Sequence, residues 1–566
     1  MTAARRDPRS LVESFESTLG ESRRRLGAHY TPEALAERLV DLALSEFDRL
    51  HAGSPRSVCD PSCGAGSILL AAADALVDRG MSPEQVLRSV RGFDTDPASV
   101  AMARTALSGW AEAHGLGSPP EPLVAIGDAL GADSGEQRFD VVVGNPPFAS
   151  PLDRDVAARR RAGANSGSET GSPVVTAPTT AASAYTDDAA LHLLAAVRWC
   201  VPGGVVCMLQ PQSVLGARDA AGVRASVLEL ADIGALWASD EAFFEHASVE
   251  VCALVLIRHA SGGGTGPEPA EGEPAHGSPG SGPGVMIHWR DRPTTRAVAP
   301  RSGSWAPLLA VAMGHPRGIG SAGVPSAPLG ELATCTAGFR EEFYVLAECA
   351  HEDVPAPERG GAAGRVLQLV TSGLIDPGVN RWGSKHCRIG GRSFEAPVAE
   401  LDQVAKVSPR VARWCADRSS PKLLVASQTR VLEVCLDRSG ATVPLTPVVS
   451  VQSHGVVPAE ALAAVLSAPS SSLALTNAAA GTGLSSSAVR VGAPALREIE
   501  VPTDPETSGR AVELWAGVER LASAGSTYEE WFELGTELDA LSGRVRSDVV
   551  EWWVSRLPRS VRRQRT

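Results

Sequence analysis

The sequence predicts an open α/β sheet whose polar residues gather along one edge, followed by a mixed region of shorter elements. Three observations carry that prediction. Segments 56–59, 90–94, 123–126 and 139–143 read as strands, the last two of them strongly apolar, and each leads to an acid or an amide: Asp60, Asp94, Asp128 and Asn145. In open α/β sheets ligands bind along the carboxyl ends of the strands, so four such closures in register mark one crevice. The run Phe139 to Val143 contains three consecutive valines, as suits a strand covered on both faces. Residues 259–285 are nearly all Gly, Pro, Ser, Ala and Glu, the composition of a linker, and beyond them no helical or alternating period is sustained.

The strand that closes on Asn145 continues into Pro146, Pro147 and Phe148. Two prolines can neither extend a ladder nor enter a helix interior, so they fix a stiff, extended loop. That loop offers the Asn145 side-chain oxygen, the Pro146 carbonyl and an aromatic face. An exocyclic amine on a heterocycle is a poor nucleophile because its lone pair is delocalised into the ring. Two acceptors that bind its hydrogens would draw the nitrogen toward sp3 geometry, with Phe148 stacked on the ring. A plain Pro-rich turn after a strand is the alternative.

Taken in order, residues 8–28 read as a polar helix. Thr31 is a plausible N-cap with Pro32 at the first helical position, ahead of Leu35, Leu39, Leu42 and Ala43 at helical spacing. The first strand opens into Asp60-Pro61-Ser-Cys-Gly64-Ala-Gly66, then an Ala/Leu-rich helix, a turn in which a ligand can approach backbone and helix N-terminus. Its Gly-x-Gly spacing lacks the full dinucleotide pattern. Asp94 and Asp96 flank Thr95; one acid can hold the hydroxyls of a ribose while the other caps the next helix. Asp128-Ala129 closes the third strand. Residues 150–186, rich in Gly, Ser, Thr, Ala and Pro, are expected to be a disordered insert, either a lid or a passive loop. A helix at 191–200 and a strand at 205–209 follow. Phe243-Phe244 stands ahead of two β-rich segments, expected as an antiparallel hairpin that closes the sheet. Residues 508–557 return to helix, with a Trp/Leu stripe expected to be packing.

At 566 residues the chain exceeds one core, and two or three domains are expected. Hydrophobic content of 43% fits a globular protein, and no apolar run reaches the length of a membrane span. The start lacks a signal peptide's apolar centre, and ten scattered cysteines without ligand spacing read as buried thiols, so a cytoplasmic location and no bound metal are expected. Net charge is −13, yet 22 Lys+Arg against 33 Asp+Glu in residues 1–258 leave 30 against 32 beyond. The acidity sits in the front half, so the total charge neither supports nor excludes a nucleic-acid partner.

The order of these blocks, with Tyr30-Thr31-Pro32 first and Asn145-Pro146-Pro147-Phe148 after the three acids, resembles the adenine-N6 DNA methyltransferases that place target recognition last. The resemblance covers about residues 20–258. It implies a Rossmann-like, seven-stranded methyltransferase sheet at 1–258, the linker at 259–285, a mixed α+β target-recognition region at 286–505, and C-terminal helices with a basic tail at 506–566. It implies S-adenosylmethionine as methyl donor and double-stranded DNA as partner, with base flipping and direct transfer. Carried over residue by residue, Tyr30, Thr31 and Pro32 border the methionine part of the donor. Asp60, Pro61, Gly64 and Gly66 form its turn. Asp94 takes the ribose with Thr95 beside the adenine ring, and Asp128 with Ala129 meets the adenine. Asn145, Pro146, Pro147 and Phe148 form the catalytic loop, with Asn145 also bordering the donor. Phe244 packs on the flipped base, and Trp382 and Lys385 are candidate DNA contacts in the second region.

The same loop also occurs in enzymes that methylate ribosomal RNA bases or the glutamine amide of proteins, but those end soon after the sheet, whereas about 300 residues follow here. A catalytically silent DNA-binding subunit is the other alternative, against which the complete set of acids stands. No Pro-Asp…Glu-x-Lys nuclease pattern is found, so modification beside a separate restriction or defence protein is expected.

Overall fold

Val141, Val142 and Val143 lie at the centre of a nine-stranded sheet, each at most 1% exposed. The computed structural model describes residues 7–17, 31–117, 123–131, 138–148, 186–241, 243–244, 249–260, 284–290, 292–300, 303–317, 323–353, 365–481 and 489–562. The chain divides into two compact units, Met1–Met313 and Gly314–Thr566.

In the first unit the strands are β1 (Val58–Asp60), β2 (Val90–Asp94), β3 (Val124–Ile126), β4 (Phe139–Gly144), β5 (Cys200–Pro211), β6 (Ala231–Ala238), β7 (Val251–Arg258), β8 (Val285–Trp289) and β9 (Arg292–Ala297). They lie in the order β3-β2-β1-β4-β5-β7-β6-β8-β9. Neighbours from β3 to β5 are parallel; β7 is antiparallel to both β5 and β6. Side chains alternate across a strand, and the sheet is covered on both sides. Val141 and Val143 share a core with Leu39, Leu69 and Leu107 from helices Glu33–Leu50, Ser67–Asp78 and Pro97–Ala113. Helix Asp188–Trp199 lies against β4 and β5.

The chain runs outward from β1 through β2 to β3, then returns to lay β4 on the other side of β1. The connections leaving β1 and β4 therefore diverge, which opens a crevice beyond their carboxyl ends. Gly92 is needed beneath it: a Cβ there would come within 2.6 Å of Leu69 Cδ1 and 3.0 Å of Cys63 Sγ.

Three expectations are corrected. The sheet has nine strands where seven were expected, because β8 pairs in parallel with β6 from Ala235↔Met286 to Ala238↔Trp289, and β9 pairs with β8. The added strands cover an edge of β6 that would otherwise present unpaired backbone, and they bury Val285, Ile287 and Trp289. The first unit consequently runs past the boundary expected at 258, to Met313. Finally, Phe243 and Phe244 lie between β6 and β7, the antiparallel pair, rather than ahead of both. The expected insert at 150–186 and linker at 259–285 fall almost wholly outside the described residues.

The second unit holds two four-stranded sheets. One runs Ala333–Ala337, Val449–Ser453, Lys422–Ala426, Glu433–Asp437; the other runs His351–Glu352, Pro397–Glu400, Val366–Val370, Thr442–Pro444. Helices Pro505–Ala524, Tyr528–Ala540 and Ser547–Arg556 bury Trp515, Trp531 and Trp553 in the same core as Leu423 and Val451 of the first sheet. The boundary expected at 505 thus separates no core. All ten cysteines are free thiols, nine of them buried. No helix among the described residues is long and apolar enough to cross a membrane.

Candidate functional site

The crevice at the β1/β4 switch is lined by residues that the sequence singled out. β1 ends on Asp60, whose side chain is 1% exposed and accepts from the Ser62 backbone N–H at 3.0 Å. Burial pushes the Asp60 carboxyl up to about 8, and the nearby negative charge of Asp94 pushes in the same direction. At the end of β4, a Cβ on Gly144 would stand 3.0 Å from Asp60 Oδ1 and 3.3 Å from Pro61 Cδ. Any larger residue there would need Asp60, Pro61 or Met208 to give way by a few tenths of an ångström.

Past Asp60 the chain turns through Gly64 (φ 52°) and Gly66 (φ 100°), left-handed conformations that glycine adopts without steric cost. Gly66 is the N-cap of helix Ser67–Asp78 and has no side chain to satisfy the first amides. Asp94 ties this turn to the next one. Its Oδ2 accepts from Gly64 N–H at 2.9 Å and its Oδ1 from Asp96 N–H at 2.8 Å. Asp96 in turn caps helix Pro97–Ala113, accepting from Ser99 N–H at 2.8 Å and from the Ser99 hydroxyl at 2.7 Å. Asp94 thus joins two turns, while Asp96 holds a helix. Beside Asp94 in register lies Ile126, 62% exposed, with Thr95 also exposed. Asp128 is exposed and accepts from Leu130 N–H at 2.9 Å, while Ala129 is buried.

Asn145 is fixed from an unexpected direction. Helix Glu33–Leu50 begins with Pro32 at its cap position and no side-chain cap bond, so Thr31 is not the N-cap. Thr31 is buried, and its hydroxyl instead accepts from Asn145 Nδ2–H at 3.0 Å. The bond orients the amide, and Asn145 Oδ1 is left buried with no partner among the described residues. Ser62 Oγ and Ser67 Oγ, in the turn after β1, are buried and unpartnered in the same sense. A buried acceptor without a donor costs about 1–3 kcal/mol, so each of these oxygens stands where a partner is wanting. Phe148 and Phe244 meet edge to face, ring centroids 5.9 Å apart at 79°.

Most predicted site residues therefore converge in the first unit. Tyr30 lies outside the described residues. Trp382 and Lys385 belong to the second unit. The Trp382 indole N–H donates to the Pro397 carbonyl at 2.9 Å and the ring packs against the core, so it braces a loop. Lys385 is exposed, and its charge eases the ionisation of Glu433, whose carboxyl burial pushes up to about 8. Two residues escaped the sequence reading. Ile126 is apolar in an apolar strand and gave no signal. Gln210 did give one, as a lone amide in the run Val205 to Pro211: it is fully buried in β5 with both amide atoms unpartnered among the described residues. It stands two residues beyond Met208, the register partner of Gly144.

Residues 11–265 match the N-6 DNA Methylase family. Among solved structures, the chain is similar to the type IIL restriction-modification enzyme MmeI in complex with DNA. That match has 13% identity and a TM-score of 0.59, covering 95% of this chain and 79% of the other. It is also matched with a DrdV–DNA complex, at 12% identity and TM-score 0.45 over 91% of this chain and 59% of the other. A third match is the type IIG restriction endonuclease BpuSI, at 12% identity and TM-score 0.42 over 98% and 69%.

Proposed function

We propose that this chain, whose residues 11–265 match the N-6 DNA Methylase family, takes a methyl group from S-adenosylmethionine and places it on N6 of an adenine turned out of the duplex. The observation that carries the proposal is the Asn145 amide. Its Nδ2 is committed to Thr31, which leaves Oδ1 as a fixed, buried acceptor with nothing to accept from. An adenine amino group is the donor it lacks.

The residues of the crevice fit the donor molecule. Asp60 is a buried carboxyl held protonated for want of a cation, and the methionine ammonium would supply one. The bare N-terminus of helix Ser67–Asp78 suits the methionine carboxylate, and Ser62 and Ser67 have hydroxyls to offer. Asp94 suits the ribose, and Ile126 with Thr95 and Asp128 suits the adenine ring. When bound, the sulfonium supplies an activated methyl group. The chain supplies orientation. Asn145 Oδ1 and the Pro146 carbonyl take the two amine hydrogens, which holds the nitrogen lone pair out of the ring's conjugation. Phe148 and Phe244 now touch each other, so a base slotted between them parts the rings and is held on both faces. Target recognition falls to the second unit, and DNA cleavage to a separate restriction or defence protein.

Tritiated methyl transfer to DNA, RNA and protein offered together tests this function. Label in adenine of DNA is expected; label in RNA or protein with none in DNA overturns it.

The Thr31 bond yields a second expected result. Thr31→Val keeps the shape and removes the hydroxyl, so the amide loses its orientation and single-turnover transfer falls by about tenfold, as for one lost hydrogen bond. Thr31→Ser should restore the rate. Weaker cofactor binding at an unchanged rate would instead make Thr31 a donor contact.

A further inference from the structure

We propose that the β-ribbon formed by Cys387–Ile389 and Arg392–Phe394 is a face that docks on duplex DNA, with Arg388 as its principal contact. The proposal rests on the function given above and names the surface that recognition uses.

In a chain where 65 acids outnumber 52 basic residues, the eighteen residues from Pro377 to Phe394 contain Arg381, Lys385, Arg388 and Arg392 and no acid. The ribbon sorts its side chains by face. Cys387, Ile389 and Phe394 are buried in the core of the second unit. Arg388 and its register partner Ser393 alternate with them, are exposed, and point away. Arg388 makes no hydrogen bond or ion pair among the described residues, so its whole fork of donors is available.

The other basic residues brace or flank it. Arg381 is held by Asp376 at 2.9 Å. Arg392 folds inward, stacking on Phe394 at 5.2 Å and donating to the Ala347 carbonyl. Gly390 (φ 55°) and Gly391 (φ 82°) close the ribbon in a turn that glycine favours, and a Cβ on Gly390 would meet Ala347 Cβ at 3.1 Å. The ribbon is thereby pressed onto helix Arg340–Cys349. At its base Gly383 N–H donates to the Glu395 carbonyl at 3.0 Å, and the Trp382 indole fixes the approach.

The result is a rigid, acid-free strand pair presenting an unpaired guanidinium. Its chemistry complements a polyanion, and a two-stranded ribbon is an element the major groove admits. The planar guanidinium fork presents several donors at once, so it loses less freedom per hydrogen bond formed to phosphate or a base edge than a flexible donor would.

The test is fluorescence anisotropy with the full chain and a labelled random-sequence DNA duplex across a salt series. Arg388→Glu should weaken binding by about tenfold or more and lower the slope of log affinity against log salt by about one. Arg388→Gln should weaken it less, with thermal melting unchanged for both. Arg510→Glu, an exposed position outside the ribbon, should bind as the wild type does. If Arg388→Glu and Arg388→Gln bind with wild-type affinity and slope, the face is not a DNA contact, whatever the methyl-transfer assay shows. Equal competition by an RNA duplex would also overturn it. Methyl transfer to plasmid DNA by the wild type tests the underlying function separately.

Discussion

Asn145→Ala is expected to lower the single-turnover rate of methyl transfer to DNA by about a hundredfold to thousandfold, the effect of deleting one preorganised partner from a closed site, about 3–4 kcal/mol. The prolines that shape the loop remain, so the Pro146 carbonyl still accepts one amine hydrogen. The substitution also frees the Thr31 hydroxyl, which loses the Nδ2–H donor it accepts from at 3.0 Å. Cofactor and DNA binding should change little, because Oδ1 meets only the target amine. Phe148→Ala should show the opposite balance: base–aromatic stacking contributes about 1–3 kcal/mol, so retention of the flipped base suffers more than the rate at saturation. Quenched-flow transfer with both variants separates the two effects. A wild-type rate from Asn145→Ala would remove the loop from the chemistry.

The sheet was legible where the sequence is redundant. The segments leading to Asp60, Asp94, Asp128 and Asn145 each carry strand character and a polar end, and all four form parallel neighbours in the observed sheet. β6, β8 and β9 were not legible for a physical reason. Ala231 to Ala238 contains Asp232 and Gly234, which break both alternation and a continuous apolar run, and β8 follows a long Gly/Pro-rich stretch that reads as the end of a domain. Pairing between β6 and β8 spans about fifty residues of sequence, and no local pattern reports it.

The site shows the same division. Residue types at strand ends singled out Asp60, Asp94 and Asn145, and the fold sets them at the ends of, or just beyond, neighbouring parallel strands, which local sequence could foretell. The Thr31 hydroxyl was misread as a helix cap because capping is the local use of a threonine before a proline. Its actual partner, Asn145, lies 114 residues away. The close approach at Gly144 shows only in the fold, where Asp60 Oδ1 lies 3.0 Å from where a Cβ would stand.

The affinity for S-adenosylmethionine is expected to rise by about tenfold per pH unit from pH 6 to about 7, and Asp60→Asn should abolish that rise. In the free protein burial holds the Asp60 carboxyl at about 8, far above its usual range, so near neutrality it carries a proton. An ammonium brought against it favours the carboxylate and lowers that value. The free protein therefore binds more protons than the complex, and binding releases one below pH 8. By linkage, affinity increases as pH rises through that window and levels off near 8, where the free site is half ionised. By then the ligand's own amino group, with an ordinary value of about 7.7–8.0, has lost about half its charge, so affinity peaks near there and turns down above it. Titration calorimetry in two buffers of different ionisation enthalpy measures the proton directly, and close to one should be released at pH 6.5. Asp60→Asn keeps the volume but removes the charge, so it should weaken binding at pH 8 by about ten- to a hundredfold, as for a lost charge-assisted hydrogen bond. At pH 6 the loss should be much smaller, since the wild type is itself mostly neutral there. A wild-type affinity that is flat from pH 6 to 8, or an Asp60→Asn protein whose deficit is the same at both, would remove Asp60 from contact with the ammonium.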